Sequence, residues 1–285
     1  MTLSAHAKIN LGLRILRKRA DGFHDLETAF LRIGWADTLT MTLAEHTMMT
    51  CSDPSLPVDE SNLCLRAVRA VQQAMPDALH TGLHVDLQKN LPFGAGLGGG
   101  SSDAASCLKA ANAMLAAGLS AQRRHELAAA IGSDVPFFLM ESGVALGTDR
   151  GTVLSPMAFP KALHGAWLVV AVPPVHVSTA EAYAGIRPDD EQEGELEALV
   201  SGGSLAEWKE RLVNDFEPHL FEAQPALAAL KSNLLGAGAG YAAMSGSGSA
   251  VFGVYQTEDE ARSAANGLAT TIRTWVGPSD AGIRE

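Results

Sequence analysis

Residues 92–105 read Pro92-Phe93-Gly94-Ala95-Gly96-Leu97-Gly98-Gly99-Gly100-Ser101-Ser102-Asp103-Ala104-Ala105, and no other stretch limits the chain so strongly. Glycines at 94, 96, 98, 99 and 100 free the backbone to turn sharply, and they run into two serines and a small-residue helical pattern. Successive N–H groups can then converge on an anion at a helix N-terminus, which is how a backbone holds phosphate. The run contains GxGxxG, but a dinucleotide fold wants an acidic residue roughly 20 positions on. This chain has Ala116-Ala117-Gly118-Leu119-Ser120 there. A P-loop is excluded as well, because Gly100 stands where that motif requires lysine. A flexible linker fits poorly, since regular patterns flank the run on both sides.

The rest of the chain reads as mixed strands and helices. Positions 5, 7, 9, 11, 13 and 15 are apolar, while His6, Lys8, Asn10 and Arg14 lie between them. That period of two predicts a strand with one buried and one polar face, on which Lys8 and Asn10 point the same way. A turn at Asp21-Gly22 precedes a second apolar run from Leu26, and alternation returns over 38–43. Helical spacing covers 62–75, with Pro76 to end it, and a strand at 83–87 leads into the glycine run. Ala104, Leu108, Ala111 and Leu115 then form a stripe stopped by Gly118, and 121–131 is a further helix. Beyond Pro156 and Pro160, the apolar strand 165–172 opens a second domain. Residues 189–197 read as a solvated acidic segment. Helices near 204–213, 225–235 and 258–269, with strands near 241–244, 249–255 and 271–276, complete an α+β protein.

Composition narrows the partners. A formal charge of −11 gives no broad surface for nucleic acid or an acidic membrane, so an anionic ligand must be captured locally. Cys51, Cys64 and Cys107 have neither CxxC nor metal-ligand spacing, which fits reduced thiols in a cytoplasmic protein. The start shows no signal segment, and the longest apolar runs are too short to span a bilayer. Nothing in the sequence sets an oligomeric state.

Taken singly, the chemical residues are ambiguous. Lys8 reads as a solvent-facing lysine or a functional one, Asp134 as a cap for the next turn or a reacting carboxylate, and His24 as an exposed turn neighbour or a ligand contact. Gly246-Ser247-Gly248-Ser249 is a plain turn or a close backbone approach.

Together they form a pattern. Lys8-x-Asn10 on the first strand, Pro92-x-Gly94-x-Gly96-Leu97-Gly98-x-Gly100-Ser101-Ser102, and the late Gly246-Ser247-Gly248 turn resemble the three ordered motifs of the GHMP kinases. Ala7-Lys8-Ile9-Asn10-Leu11, Arg19-Ala20-Asp21-Gly22-Phe23-His24 and Gly132-Ser133-Asp134-Val135-Pro136-Phe137-Phe138 resemble the family within it that acts on 4-diphosphocytidyl-2-C-methyl-D-erythritol. The match runs from Ala7 to Gly253, dense before residue 150 and sparse over 185–240. Where that family usually has Tyr this chain has Phe23, and where it often has Gly the chain has Ala95.

The resemblance implies a two-domain GHMP-kinase fold, an ATP-binding N-terminal domain over 1–157 and a ferredoxin-like α+β C-terminal domain over 158–285, with the active site in the cleft between them. It implies phosphorylation of the acceptor's 2-hydroxyl by ATP with Mg²⁺, a step of non-mevalonate isoprenoid precursor synthesis. Asp134 would be the general base and Lys8 would orient the hydroxyl. Pro92, Phe93, Gly94, Ala95, Gly96, Leu97, Gly98, Gly99, Gly100, Ser101 and Ser102 would hold ATP, with Lys89 and Asn62 near its adenosine. Asn10, Phe23, His24, Thr179, Tyr183, Gly246 and Ser247 would contact the acceptor, Phe23 and Tyr183 sandwiching the cytosine. Ser101, Ser102 or Asp103 would meet Mg²⁺ or its waters. The alternatives are a homoserine- or mevalonate-type kinase, which has no base to stack, and a nucleotide-binding sensor, which would not need both Lys8 and Asp134.

Overall fold

The computed structural model describes residues 1–75, 81–191 and 193–283, and contacts divide them into two compact units. The first comprises 1–7, 35–93 and 98–141, the second 8–34, 94–97 and 142–285. Two long strands, β1 (Thr2–Lys18) and β2 (His24–Ala44), pair with each other and contribute residues to both.

In the first unit the distal half of β2 pairs antiparallel with β4 (Gly82–Gln88), from Thr38 opposite Gln88 to Ala44 opposite Gly82. β3 (Met48–Cys51) adds to β4 in parallel. Two helices pack together beside them, α1 (Leu63–Ala74) and α2 (Gly99–Met114). The pattern of small residues explains the packing: Ala104, Ala105, Ala110 and Ala111 are buried on α2 and let the helices approach closely. α2 closes at Met114, before the expected stop at Gly118. α3 (Ala121–Ile131) follows, capped by the Ser120 side chain, and ends just before a short 3-10 turn, Val135–Leu139. Pro76, expected to end α1, lies outside the described residues.

In the second unit the proximal half of β2 pairs with β5 (Val144–Thr148), and β5 with β6 (Val153–Pro156). A separate antiparallel sheet runs in the order β10 (Arg273–Pro278), β7 (Trp167–Val172), β9 (Val251–Tyr255), β8 (Tyr241–Met244). Between β7 and β8 come α4 (Thr179–Ala184), α5 (Leu196–Gly202), α6 (Leu205–Arg211), α7 (Glu217–Ala223) and α8 (Pro225–Gly236), and α9 (Glu258–Asn266) joins β9 to β10. With α8 and α9 as its helices this is the β-α-β-β-α-β arrangement of ferredoxin-like sheets. Leu227, Leu230 and Leu234 of α8 and Ala261 and Ala264 of α9 share one core with Val169, Val251 and Met244. The expected acidic segment is exposed until Leu196, which is fully buried and starts α5; residue 192 lies outside the described residues.

One expectation needs correction. Spacing gives β1 one buried and one polar face, yet Lys8, Asn10 and Arg14 of the polar face are buried as well, and the strand is covered on both faces from Ala7 to Leu16. Period-two spacing reports which residues share a face and says nothing of what covers it. No helix among the described residues is long and apolar enough to cross a membrane.

Candidate active site

Alternation along β1 puts Lys8 and Asn10 side by side, at 4% and 3% exposure. The Lys8 ammonium donates to Asn10 Oδ1 at 2.6 Å and to the Gly96 carbonyl at 2.9 Å, and lies 5.5 Å from the centre of the Phe30 ring. Asn10 Nδ2 donates to Thr28 Oγ1 at 2.8 Å, and Thr28 in turn donates to the Gly12 carbonyl at 2.7 Å. That relay sets the amide so that its oxygen faces the ammonium. A solvent-facing lysine is therefore excluded. A buried ammonium costs free energy unless its donors are satisfied, and the Asn10 amide and the Gly96 carbonyl take two of the three.

The first half of the glycine run and the late Gly-Ser-Gly turn close over this pair. Gly96 has φ +77°, and a Cβ there would sit 2.2 Å from the Ser245 carbonyl oxygen. Gly246 has φ +56°, with its Cβ direction 3.2 Å from Asn10 Oδ1 and 3.5 Å from Lys8 Nζ. Ser245 Oγ donates to the Gly96 carbonyl at 3.0 Å, and Ala250 N–H to the Ala95 carbonyl at 3.0 Å. Ala95 is buried and is absent from the non-glycine residues of positive φ, so its methyl is accommodated without strain. Asn214, unremarked in the sequence, braces the turn: its Nδ2 donates to the carbonyls of Met244 at 2.8 Å and Gly246 at 2.9 Å. Gly96→Ala would force a left-handed residue against backbone. We expect a stability loss of about 1–3 kcal/mol and weaker ATP binding, read by denaturant titration and calorimetry; parent values of both would refute the close approach.

The second half of the run opens α2. Gly98, at φ 70° and ψ 16°, is its N-cap and supplies no side-chain bond. The first intrahelical bond is Ser102 N–H to the Gly98 carbonyl at 2.9 Å, so the N–H groups of Gly99, Gly100 and Ser101 precede it. Those groups and the positive end of the helix dipole suit phosphate oxygens. Pro92 is half-buried and Phe93 exposed.

Two residues expected near the nucleotide also have partners in the local structure. Asn62 caps α1, accepting from Cys64 N–H at 2.9 Å and donating to the Pro57 carbonyl at 2.7 Å. The Lys89 ammonium is ion-paired to Asp37 and Asp103, and its side chain is 6% exposed. Burial presses its pKa down, but Asp103 and Asp37 outweigh that and leave it above the ordinary lysine value. Asp103 is pushed up to about 7 by burial, against the pull of Lys89 and with Asp37 adding to the rise.

Mg²⁺ needs few protein ligands when phosphates supply the rest. No cluster of three or more His, Cys, Asp or Glu suited to a metal exists among the described residues. Asp103 is held by Lys89 and buried, and the Ser102 side chain is buried too. Ser101, half-buried in the first turn of α2, is the least enclosed of the expected three. A site of one hydroxyl plus nucleotide phosphates fits the residues present.

Asp134 occupies the N-cap position of the Val135–Leu139 turn but makes no capping bond to it, so capping is not its use. Val135 and Phe137 are fully buried, Val135 N–H bonds the Gly132 carbonyl at 3.2 Å, and Lys109 Nζ donates to the Phe138 carbonyl at 2.7 Å. The carboxylate is thus carried, half-buried, on a short anchored turn.

Among the residues expected at the acceptor, the rings are arranged differently from the expected sandwich. Tyr183 of α4 stacks on His24, centroids 4.9 Å apart at 23°, and meets Phe216 edge-on at 4.9 Å and 81°. Phe23 is 54% exposed with the Arg150 guanidinium 4.7 Å above its ring. Arg19 ties this loop down through Asp25 at 2.9 Å, Asp21 and Asp149. Burial, then the charge of Lys18, lowers the His24 pKa, so the imidazole is neutral near pH 7 and offers one donor and one acceptor. Thr179 is exposed in the first turn of α4, Gly246 is buried and Ser247 half-buried.

The GHMP kinases N terminal domain matches residues 62–142, and the GHMP kinases C terminal domain residues 196–273. The 4-diphosphocytidyl-2-C-methyl-D-erythritol kinase of Salinibacter ruber is 41% identical over 278 residues, covering 96% of this chain and 97% of its own. The chain belongs to that family of GHMP kinases. The kinase of the same name from Pelodictyon phaeoclathratiforme is 42% identical over 282 residues, covering 98% and 96%. Among solved structures, a 4-(cytidine 5'-diphospho)-2C-methyl-D-erythritol kinase superposes with TM-score 0.81 at 34% identity, over 97% of this chain and 98% of the other. A mevalonate kinase superposes with TM-score 0.73 at 14% identity, over 97% of this chain and 98% of the other, a likeness of fold alone.

Proposed function

We propose that this protein transfers the γ-phosphoryl group of ATP to the 2-hydroxyl of 4-diphosphocytidyl-2-C-methyl-D-erythritol, in isoprenoid precursor synthesis in the cytoplasm. The observation that carries this reading is the buried Lys8 ammonium, set by Asn10 and the Gly96 carbonyl in a chain 41% identical over nearly its full length to a kinase of that name. Three free cysteines are in keeping with a reducing compartment.

Phosphoryl transfer asks for positioning and charge compensation more than covalent help. On this reading the N–H groups at the start of α2 take the phosphates, and Lys8 draws the acceptor oxygen and the transferred phosphoryl toward one positive charge. Asp134 accepts the hydroxyl proton. Mg²⁺, held by the phosphates and Ser101, would supply further neutralisation of phosphate charge. The Tyr183–His24 stack is the platform for cytosine, Phe23 is the second ring that stacks on the base, and Arg150 lies by the diphosphate.

A coupled ADP-release assay tests the reading: turnover is expected with the diphosphocytidyl acceptor and not with mevalonate or homoserine. Turnover with either of those instead, or ATP binding with no turnover at all, would overturn it. Tyr183→Ala and Phe23→Ala should each weaken acceptor binding by roughly 1–3 kcal/mol, the range for base–aromatic stacking, with ATP affinity unchanged. Phe23→Tyr should be close to neutral because the ring plane is retained. Acceptor dissociation constants unaltered in both Ala variants would place the base elsewhere.

A further inference from the structure

Three charged side chains, deeply enclosed, lie together in the first unit. Lys89 Nζ donates to Asp37 and, at 3.0 Å, to Asp103 Oδ2; the three side chains are 6%, 0% and 3% exposed. Taking such a cluster out of water costs several kcal/mol per ion, and replacing buried pairs by well-packed apolar groups is often neutral or stabilising. Stability alone therefore does not account for it.

Its neighbours give a better account. The other oxygen of Asp37, Oδ1, accepts the backbone N–H groups of Asn90 and, at 2.8 Å, Leu91, the two residues directly before Pro92. Lys89's own N–H is held by Ser52 Oγ at 2.8 Å. The chain entering the glycine run is thus pinned by a carboxylate rather than by strand pairing. Asp103 belongs to the opening turns of α2, which leaves the run, and a Cβ on Gly99 would stand 3.5 Å from Lys89 Nζ. One ammonium therefore ties the segment that enters the run to the helix that leaves it. Asp37 is sealed, Asp103 is buried against the lysine, and two carboxylates take two of the ammonium's three donors, so its charge is compensated within the cluster.

We propose that Asp37, Lys89 and Asp103 are positioning residues for the nucleotide, an ionic clamp that fixes both ends of the glycine run so that the N–H groups of Gly99, Gly100 and Ser101 stay aimed at phosphate. This rests on the run being the phosphate site, as argued under the proposed function. It assigns Lys89 an effect on ATP through the loop rather than by contact.

The test is calorimetry of a non-hydrolysable ATP analogue with Mg²⁺ on the full chain, with acceptor affinity measured alongside. Lys89→Met and Asp37→Ala leave uncompensated charge or unpaired amides and can lose stability, so the deciding variant is the triple Asp37→Asn/Lys89→Met/Asp103→Asn, which buries no charge. The expected result is a melting temperature near the parent's, analogue affinity at least tenfold weaker, and acceptor affinity within twofold. Analogue affinity within twofold of the parent in the folded triple variant overturns the clamp alone. An equal loss for analogue and acceptor also overturns it, by indicating general damage. A parent that fails to bind the analogue overturns the phosphate-site reading and the clamp with it, whereas a parent that binds the analogue but does not phosphorylate the acceptor leaves the clamp test intact.

Discussion

Asp134→Asn is expected to lower kcat by roughly 10² to 10⁴-fold, the contribution of a general base, with little change in ATP affinity or melting temperature. The substitution is isosteric, so the size of the effect isolates the proton-accepting capacity of one oxygen. The carboxylate makes no capping bond to the turn that carries it. That turn is anchored instead by buried Val135 and Phe137 and by the backbone bond from Val135 to Gly132. Single-turnover kinetics at saturating ATP and acceptor give the chemical step directly. A variant with near-parent kcat removes Asp134 from the mechanism. A variant that loses ATP affinity in proportion to kcat assigns the residue to nucleotide binding instead.

Short-range pattern exposed much of the architecture. Alternation over 5–15 marks β1, the small-residue stripe marks α2, and the helix at 121–131 appears where spacing and Gly132 predict it. What pattern cannot express is what lies against a face. Lys8 and Asn10 share a side of β1 by spacing, but that side is buried because Gly96 and the Ser245–Gly246 turn close over it. Asn214 and Thr28 escaped notice for the same reason. Each is an ordinary polar residue until the fold brings Asn214 to the carbonyl of Gly246 and Thr28 to the amide of Asn10.

Elsewhere a residue expected at a ligand also meets a local structural demand. Asn62 stands at the start of a helical pattern, and an Asn there is a preferred N-cap, so the capping use was open to inspection in the sequence. The resemblance puts Lys89 near the adenosine, and only the fold shows Asp37 and Asp103 on either side of it. In the aromatic cluster the sequence names the rings but not their partners. Tyr183 stacks on His24, and Phe23 carries Arg150, a residue with no motif to announce it.

Lys8→Met should reduce kcat by about 10² to 10³-fold, the loss found when one donor aimed at developing charge is removed, while leaving the protein folded. Methionine matches the length of the lysine stem and removes only the ammonium. A structural lysine would be expected to take stability with it, because its acceptors would be stranded at about 1–3 kcal/mol each. Here one hydroxyl can replace the ammonium at either acceptor, though not at both at once. The Gly96 carbonyl also accepts from Ser245 Oγ at 3.0 Å, and Asn10 Oδ1 lies 3.5 Å from the same hydroxyl. Nearby Phe30 and the apolar strand then suit a thioether at least as well as a charge. The predicted signature is therefore a large fall in kcat with a small shift in melting temperature. It should be compared with Lys8→Arg, whose planar guanidinium cannot reproduce a compact ammonium between Asn10 and Gly96 and should not restore activity. A Met variant that unfolds but keeps kcat in its folded fraction would make Lys8 a packing residue, and the reading of its burial as catalytic would be wrong.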